Sequence, residues 1–328
     1  MALFVGLRGC ARVCAVQQGL LTRSFSSSAP ALENKKDVIG VVGLGLMGHG
    51  IAQVAAASGY QVRALEMNSD FLQTGLGRIR GSLEKVYKKK FENPEDALHA
   101  FNETYGRITP TTHMSDLSDC DLVVEATTEN LDLKHSVFSA LHEVVKPSCI
   151  FASNTSSLSI TEIAAGSGRP ELTLGMHFFN PVQIMKLVEV IEGEQTTPEA
   201  FALAHAFVKD IKKIPVKCKD SPGFIVNRLL VPYLAQAVAL YERGEASIVD
   251  IDAGMKFGAG HPMGPIMLAD YVGLDTTLFI LEGWVKNHPN EPAFFIPESL
   301  KQKVAEGKFG RKSGEGYYKW NGDAPVVE

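Results

Sequence analysis

The chain has 328 residues, 45% of them hydrophobic, a formal net charge of −5 and a mean hydropathy of +0.02. That is enough apolar material for one large domain or two, and a mildly acidic balance gives no global case for nucleic-acid binding. No apolar run reaches the length of a membrane span, and the five cysteines (Cys10, Cys14, Cys120, Cys149, Cys218) show neither CxxC nor zinc spacing, so no metal site is expected.

The first 35 residues differ from the rest. MALFVGLRGCARVCAVQQGLLTRSFSSSAPALE carries Arg8, Arg12 and Arg23, ends in a Ser run and has no acid before Glu33. That is the composition of an amphipathic organelle transit peptide. The arginines interrupt the apolar stretch instead of preceding it, which argues against a secretory signal. The plain alternative is a tail without a role. Residues 1–35 are therefore set aside from the fold. The chain ends in APVVE, which is not the peroxisomal tripeptide.

DVIGVVGLGLMGHGIAQVAAASGYQVRALEMN follows. Residues 38–42 read as a short buried strand, 51–57 as an Ala-rich helix ended by Gly59, and 61–65 as a second strand ended by Glu66. Between the first strand and the helix, Gly43, Gly45 and Gly48 form GxGxxG, with Leu46 and Met47 inside the turn. Strand, glycine turn, helix, strand and acid are the order of a dinucleotide-binding unit. The glycines let the backbone approach a pyrophosphate, and the helix N-terminus favours its charge. Glu66 stands where a carboxylate accepts hydrogen bonds from the adenosine ribose and repels a 2′-phosphate, so the expected cofactor is NAD and not NADP. Glycine turns also serve FAD enzymes and cofactor-free folds.

Residues 69–107 depart from a plain mononucleotide unit. Leu72, Leu76, Ile79, Leu83 and Val86 recur at helical spacing. A second helix is expected to start at Asn93-Pro94 and to carry Leu98, Phe101, Tyr105 and Ile108 on one face. A helical hairpin is thus inserted between strands. Its first helix ends in Lys88, Lys89 and Lys90, either a solvated helix end that suits the dipole or a docking patch for phosphates. Strands are then expected at 122–126, 150–153, 172–178, 186–191 and 214–217, with helices at 132–145 and 198–212. From Ser221 onward no further strand is expected. A long apolar helix begins near Pro222, and others are expected near 248–257, 276–287 and 298–306. The expected architecture is α/β: a Rossmann-type NAD-binding domain over residues 36–219 with an inserted helical hairpin, then an all-helical C-terminal domain over 220–328.

GMHFFNPVQIMKLVEVIEG places His177 and Glu189 in two apolar strands joined by a turn. Buried polar groups are costly unless paired. Across a strand pair the two side chains can meet. A carboxylate on one imidazole nitrogen fixes the tautomer and raises the basicity of the other. An alcohol dehydrogenation needs such a base, because the hydroxyl proton must leave with the hydride. The plain alternative is a satisfied structural pair.

GLGLMGHGIAQ, ASNTSSLSI, GMHFFNPVQIMKLVEVI, SPGFIVNRLLVPY, GAGHPMGP and KFGRKSGEGYY together resemble the L-3-hydroxyacyl-CoA dehydrogenase family, from about Asp37 to Trp320. The resemblance implies NAD-dependent oxidation of the 3-hydroxyl of an acyl-CoA, the third step of fatty-acid β-oxidation, in the mitochondrial matrix. It also implies a homodimer formed through the helical domain. By the same resemblance His177 is the general base and Glu189 its partner. Ser156 and Asn227 hold the substrate oxygen, and Asn180 orients beside the nicotinamide and the base. Glu129, Lys134 and Lys312 contact the cofactor, as Ser156 and Asn180 also do, and Ser82 and Lys89 contact the CoA nucleotide. Plain alternatives stand beside these. Ser156 can cap the next helix, Asn180 can serve its Asn-Pro turn, Asn227 can be a polar spot in a packed helix, and Lys134 and Lys312 can be surface cations. Two residues depart from the family pattern: His261 stands where an aromatic is common, and Glu66 replaces an Asp. The nearest enzyme rivals, the 3-hydroxyisobutyrate and 6-phosphogluconate dehydrogenases, use a lysine base and an SGG-type loop, and SNTSSL stands where that loop belongs. A non-catalytic, crystallin-like relative is the other class.

Overall fold

Runs of β-branched and apolar residues alternate with amphipathic helical stretches up to residue 219, and each becomes one layer of an α/β sandwich. The computed structural model describes residues 37–326. The transit-peptide segment, Cys10 and Cys14 lie outside them. The strands are β1 (Val38–Val42), β2 (Gln61–Leu65), β3 (Ile108–Thr111), β4 (Leu122–Glu125), β5 (Ile150–Ser153), β6 (Thr173–Phe178), β7 (Leu187–Glu192) and β8 (Ile214–Lys219). They form one sheet in the order β3-β2-β1-β4-β5-β6-β7-β8. Every neighbouring pair is parallel except β6 and β7. Strand order reverses between β1 and β4, and ligands of such sheets bind at the carboxyl ends of the strands beside that point.

Six helices accompany this sheet: α1 (Gly48–Ala57), α2 (Ser69–Lys90), α3 (Pro94–Tyr105), α4 (Leu131–Val144), α5 (Ile160–Ala165) and α6 (Pro198–Asp210). Their starts follow from local chemistry. Asn68 caps α2 by accepting from the backbone N–H groups of Asp70 and Phe71, and Asn93 caps α3 with Pro94 in the first turn. Alternation along the strands sends Ile39, Val41 and Val124 into one core with α1, α2 and α6, and Val42, Val123 and Phe151 into a second core with α4 and α5. Cys120 and Cys149 are fully buried in the second core. Burial pushes the Cys149 thiol up to about 12, which keeps it unreactive.

Two elements differ from expectation in this half. Ile108 does not share one face of α3 with Leu98, Phe101 and Tyr105 but opens β3, the edge strand. Gly106 ends the helix two residues earlier. Ile-Thr-Pro-Thr carries no clear period, and its proline is tolerated because an edge strand has one unpaired side. Leu98, expected on a packed face, is 60% exposed.

The C-terminal part packs α7 (Val226–Glu242), α8 (Ile248–Ala253), α9 (Pro265–Val272), α10 (Leu274–Asn287) and α11 (Glu298–Ala305) around a third core that includes Leu234, Leu281 and Trp284. A π-turn, Gly254–Gly258, follows α8. The expected long helix starts only at Val226, because Gly223 and Phe224 take positive φ values of 74° and 55° and form a turn. The expectation of an all-helical region is corrected by a small antiparallel pair, β9 (Lys319–Asn321) and β10 (Ala324–Val326). Strands of three residues are too short to show a period of two. Buried Asp270 secures this corner by accepting from Tyr317 N, Tyr318 N and Trp320 Nε1, each at 2.9 Å. Burial raises its pKa against the opposing pull of those bonds.

Candidate active site

The glycine turn lies at the carboxyl end of β1. Gly43 has φ +88°, and its N–H donates to Leu65 O at 2.9 Å. A Cβ on Gly48 would sit 1.7 Å from Gly43 O, so only glycine closes the turn, whereas a Cβ on Gly45 would meet nothing within 4 Å. Gly45 therefore leaves open space for an incoming group. The start of α1 has no side-chain cap and no acid in its first turn, which leaves its N–H groups for an anion. Glu66 faces the same turn, accepting from Leu44 N at 3.0 Å and Met67 N at 3.1 Å. A cavity of about 660 Å³ is lined by Gly43, Gly45, Leu46, Met47 and Glu66 on one side and by apolar residues such as Met114, Leu133 and Val137 on another. A tight glycine cradle, a carboxylate and an apolar slot fit the pyrophosphate, ribose and adenine of a dinucleotide.

His177 and Glu189 are register partners across the antiparallel β6–β7 pair. His177 Nδ1 is 2.7 Å from Glu189 Oε2. With its proton on Nδ1, the ring keeps Nε2 as the acceptor. Both side chains are buried, Glu189 completely. The other carboxylate oxygen of Glu189 accepts from Ile225 N at 3.0 Å and Val226 N at 2.8 Å, at the first turn of α7. The helix dipole favours a carboxylate there. The Pro222-Gly223-Phe224 turn makes this possible. It aims two amides at Glu189 and lays the Phe224 ring 5.7 Å from the imidazole, with Phe179 at 4.5 Å on another side.

The remaining expected residues divide. Ser156 stands in the loop after β5, where its N–H and hydroxyl both reach Glu129 Oε1, at 2.6 and 3.1 Å. It does not cap α5, because Ser159 does that. Asn154 ties the same loop to β6 by accepting from Phe178 N at 2.9 Å. Asn180 is exposed, two residues past β6, and precedes a cis peptide bond to Pro181. Asn227 is half-buried in the first turn of α7, next to the amides that hold Glu189. Ser82 and Lys89 lie seven residues apart on α2 and so share a face. Lys90, by contrast, places its ammonium over the Tyr87 and Phe91 rings.

Lys134 is not a surface cation. It is 1% exposed, and its ammonium lies between Glu125, at 2.8 and 2.9 Å, and Glu129, at 3.4 Å. Lys312 pairs with Asp275 at the start of α10, away from the glycine turn in sequence and in contacts. His261 packs on Tyr233 of α7, with ring centroids 5.4 Å apart. Among the residues not anticipated, Glu125 matters most. Besides Lys134 it accepts from Thr127 N, Thr127 Oγ1 and Ser153 Oγ, all at 2.6 Å. Its sequence signal was an acid closing the apolar run Leu-Val-Val-Glu.

Among the described residues no group of three His, Cys, Asp or Glu could hold a metal ion, and no helix is long and apolar enough to cross a membrane. Comparison with known proteins then places the chain. The 3-hydroxyacyl-CoA dehydrogenase NAD binding domain matches residues 38–221, and the 3-hydroxyacyl-CoA dehydrogenase C-terminal domain matches residues 223–320. The mitochondrial hydroxyacyl-coenzyme A dehydrogenase of Homo sapiens is 50% identical over 304 residues, 91% of this chain and 97% of that protein. That of Sus scrofa is 49% identical over 306 residues, 92% and 98% of the two chains. The crystal structure of (S)-3-hydroxybutyryl-CoA dehydrogenase from Ralstonia eutropha superposes with a TM-score of 0.83 at 40% identity, covering 87% of this chain and 99% of that one. With two domain matches in tandem and a dinucleotide cradle beside a histidine–carboxylate pair, the chain belongs to the 3-hydroxyacyl-CoA dehydrogenase family of NAD-dependent oxidoreductases.

Proposed function

We propose that this protein interconverts L-3-hydroxyacyl-CoA and 3-ketoacyl-CoA in the mitochondrial matrix, as the third step of fatty-acid β-oxidation, with residues 1–35 as its transit peptide. The observation that carries the chemistry is the buried His177–Glu189 pair, with Glu189 anchored on the first turn of α7. Nε2 of His177 takes the 3-hydroxyl proton. Glu189 offsets the charge of the imidazolium, and the two α7 amides hold Glu189 in place. Ser156 and Asn227 hold the substrate oxygen, and Asn180 orients the reacting groups. Phe179 and Phe224 keep water from the imidazole. Bound NAD would supply the acceptor for the C3 hydride. Gly43, Gly45, Leu46, Met47, Gly48, Glu66, Glu129, Lys134 and Lys312 are the residues assigned to hold it. Ser82 and Lys89 on the hairpin are assigned to the CoA nucleotide. The domains meet near residues 219 and 220, and the cleft between them takes the acyl chain.

The direct test is loss of NADH absorbance when protein lacking residues 1 to about 30 meets acetoacetyl-CoA. Fast oxidation is expected, with little from free acetoacetate. NADPH is expected to react far more slowly, because its 2′-phosphate meets the Glu66 carboxylate. Absence of turnover with NADH still bound would instead favour another hydroxy-acid substrate or a non-catalytic role.

A homodimer through the helical domain belongs to the same proposal. Leu229 on α7, Phe257 on the π-turn and Phe279 on α10 are 70%, 81% and 66% exposed. Large apolar side chains left in water on the helical domain suit a two-fold interface. Sedimentation is expected to give twice the mass of one chain, and Leu229→Lys to shift it towards one.

A further inference from the structure

We propose that Lys213 is a positioning residue for the reaction, clamping the loop that presents Asn180. This rests on the role assigned to Asn180 above. Lys213 lies between α6 and β8, directly after Lys212, whose φ of +61° turns the chain sharply there. It is 8% exposed. Its ammonium donates to two carbonyl oxygens of one loop, Val182 O at 2.5 Å and Met185 O at 2.6 Å. That loop connects β6, which carries His177, to β7, which carries Glu189.

The loop is also gripped by the cofactor half of the site. Gln183 Nε2 donates to Gln53 Oε1 of α1 at 3.0 Å. Gly50 of α1 leaves the space that Val182 fills, since a Cβ there would come within 2.7 Å of Val182 Cβ. Pro181 O closes the loop on itself by accepting from Ile184 N at 3.0 Å and Met185 N at 2.9 Å. The segment after Asn180 is therefore held by the helix that follows the glycine turn and by one ammonium group. Burying an ammonium is costly where it has no anionic partner. Burial depresses the pKa of Lys213, and no carboxylate acts to raise it. Fold stability alone is a poor reason to keep such a group, because a packed apolar residue would cost less. A small misplacement of a substrate-orienting group, however, costs much in rate. Val182, whose carbonyl Lys213 holds, is two residues from Asn180.

The test is a double-mutant cycle of Lys213→Met and Asn180→Ala, with acetoacetyl-CoA turnover expressed per NADH-binding site so that misfolded protein drops out. Lys213→Met is expected to lower kcat by about 10- to 100-fold, with NADH affinity little changed. Lys213→Gln, which keeps a donor, is expected to recover part of the rate. It also carries the test should the methionine variant not fold. If Lys213 acts through Asn180, the double variant is no slower than Asn180→Ala alone. Effects that multiply would overturn the proposal, as would a normal kcat in both Lys213 variants. If Asn180→Ala is slow and the Lys213 variants are normal, only the Lys213 proposal falls. If Asn180→Ala itself is normal, the assigned role of Asn180 falls and the Lys213 proposal falls with it.

Discussion

His177→Ala is expected to lower turnover by about 10²–10⁴-fold, the usual worth of one acid–base group, and to leave NADH binding intact. The imidazole is buried and makes its one side-chain hydrogen bond to Glu189 through Nδ1. It contributes no atom to the cavity at the glycine turn. Its removal therefore takes away the proposed proton acceptor without touching the dinucleotide cradle. Glu189→Gln is the companion variant. The amide keeps the shape and an oxygen for the hydrogen bonds from Ile225 and Val226, but it turns an –NH2 donor towards Nδ1, which favours the tautomer with the proton on Nε2 and removes the charge proposed to stabilise the imidazolium. Slower turnover with near-normal NADH affinity is expected. Steady-state rates and a fluorescence titration with NADH check both variants. Near-normal kcat in His177→Ala would sink the assignment of the base.

The second large effect is on stability. Lys134→Met is expected to destabilise the fold by about 3–5 kcal/mol, because it leaves a buried carboxylate without its partner. Glu125 is 0% exposed and Lys134 1% exposed. Glu125 has further donors in Thr127 and Ser153, so its charge is hydrogen-bonded but no longer neutralised. Adding Glu125→Gln to Lys134→Met removes the orphaned charge and is expected to recover a large part of the loss. Urea unfolding of the single and double variants measures this directly. A shift below about 1 kcal/mol, the worth of an exposed pair, would show that the pair does not behave as a buried one. The same variants report on the site, since Glu129, which lies 3.4 Å from Lys134, holds the N–H and hydroxyl of Ser156.

Much of the architecture was legible wherever a period was long enough to read. The glycine turn, the acid after β2 and the 22-residue helix α2 follow from local signals. So does the facing of His177 and Glu189, since side chains that meet across an antiparallel pair need only a turn between two strands. β3, β9 and β10 were not legible, because three or four residues with proline or mixed polarity carry no usable period. Nor was α9, eight residues between two glycines in which Asp270 interrupts an otherwise apolar run.

The sequence by itself determined the family, the cofactor cradle and the histidine–carboxylate pair, because these reside in short contiguous motifs whose backbone geometry is local. Tertiary structure alone decided what surrounds them. Glu189 is anchored by amides 36 and 37 residues away. Lys134 pairs with a carboxylate at the end of a strand, and Lys213 holds carbonyls across a β-connection. Lys134 and Lys213 are charged side chains that a sequence reading leaves in solvent by default. Whether such a group is buried depends on which distant segments close over it, and once buried it must find partners or destabilise the fold.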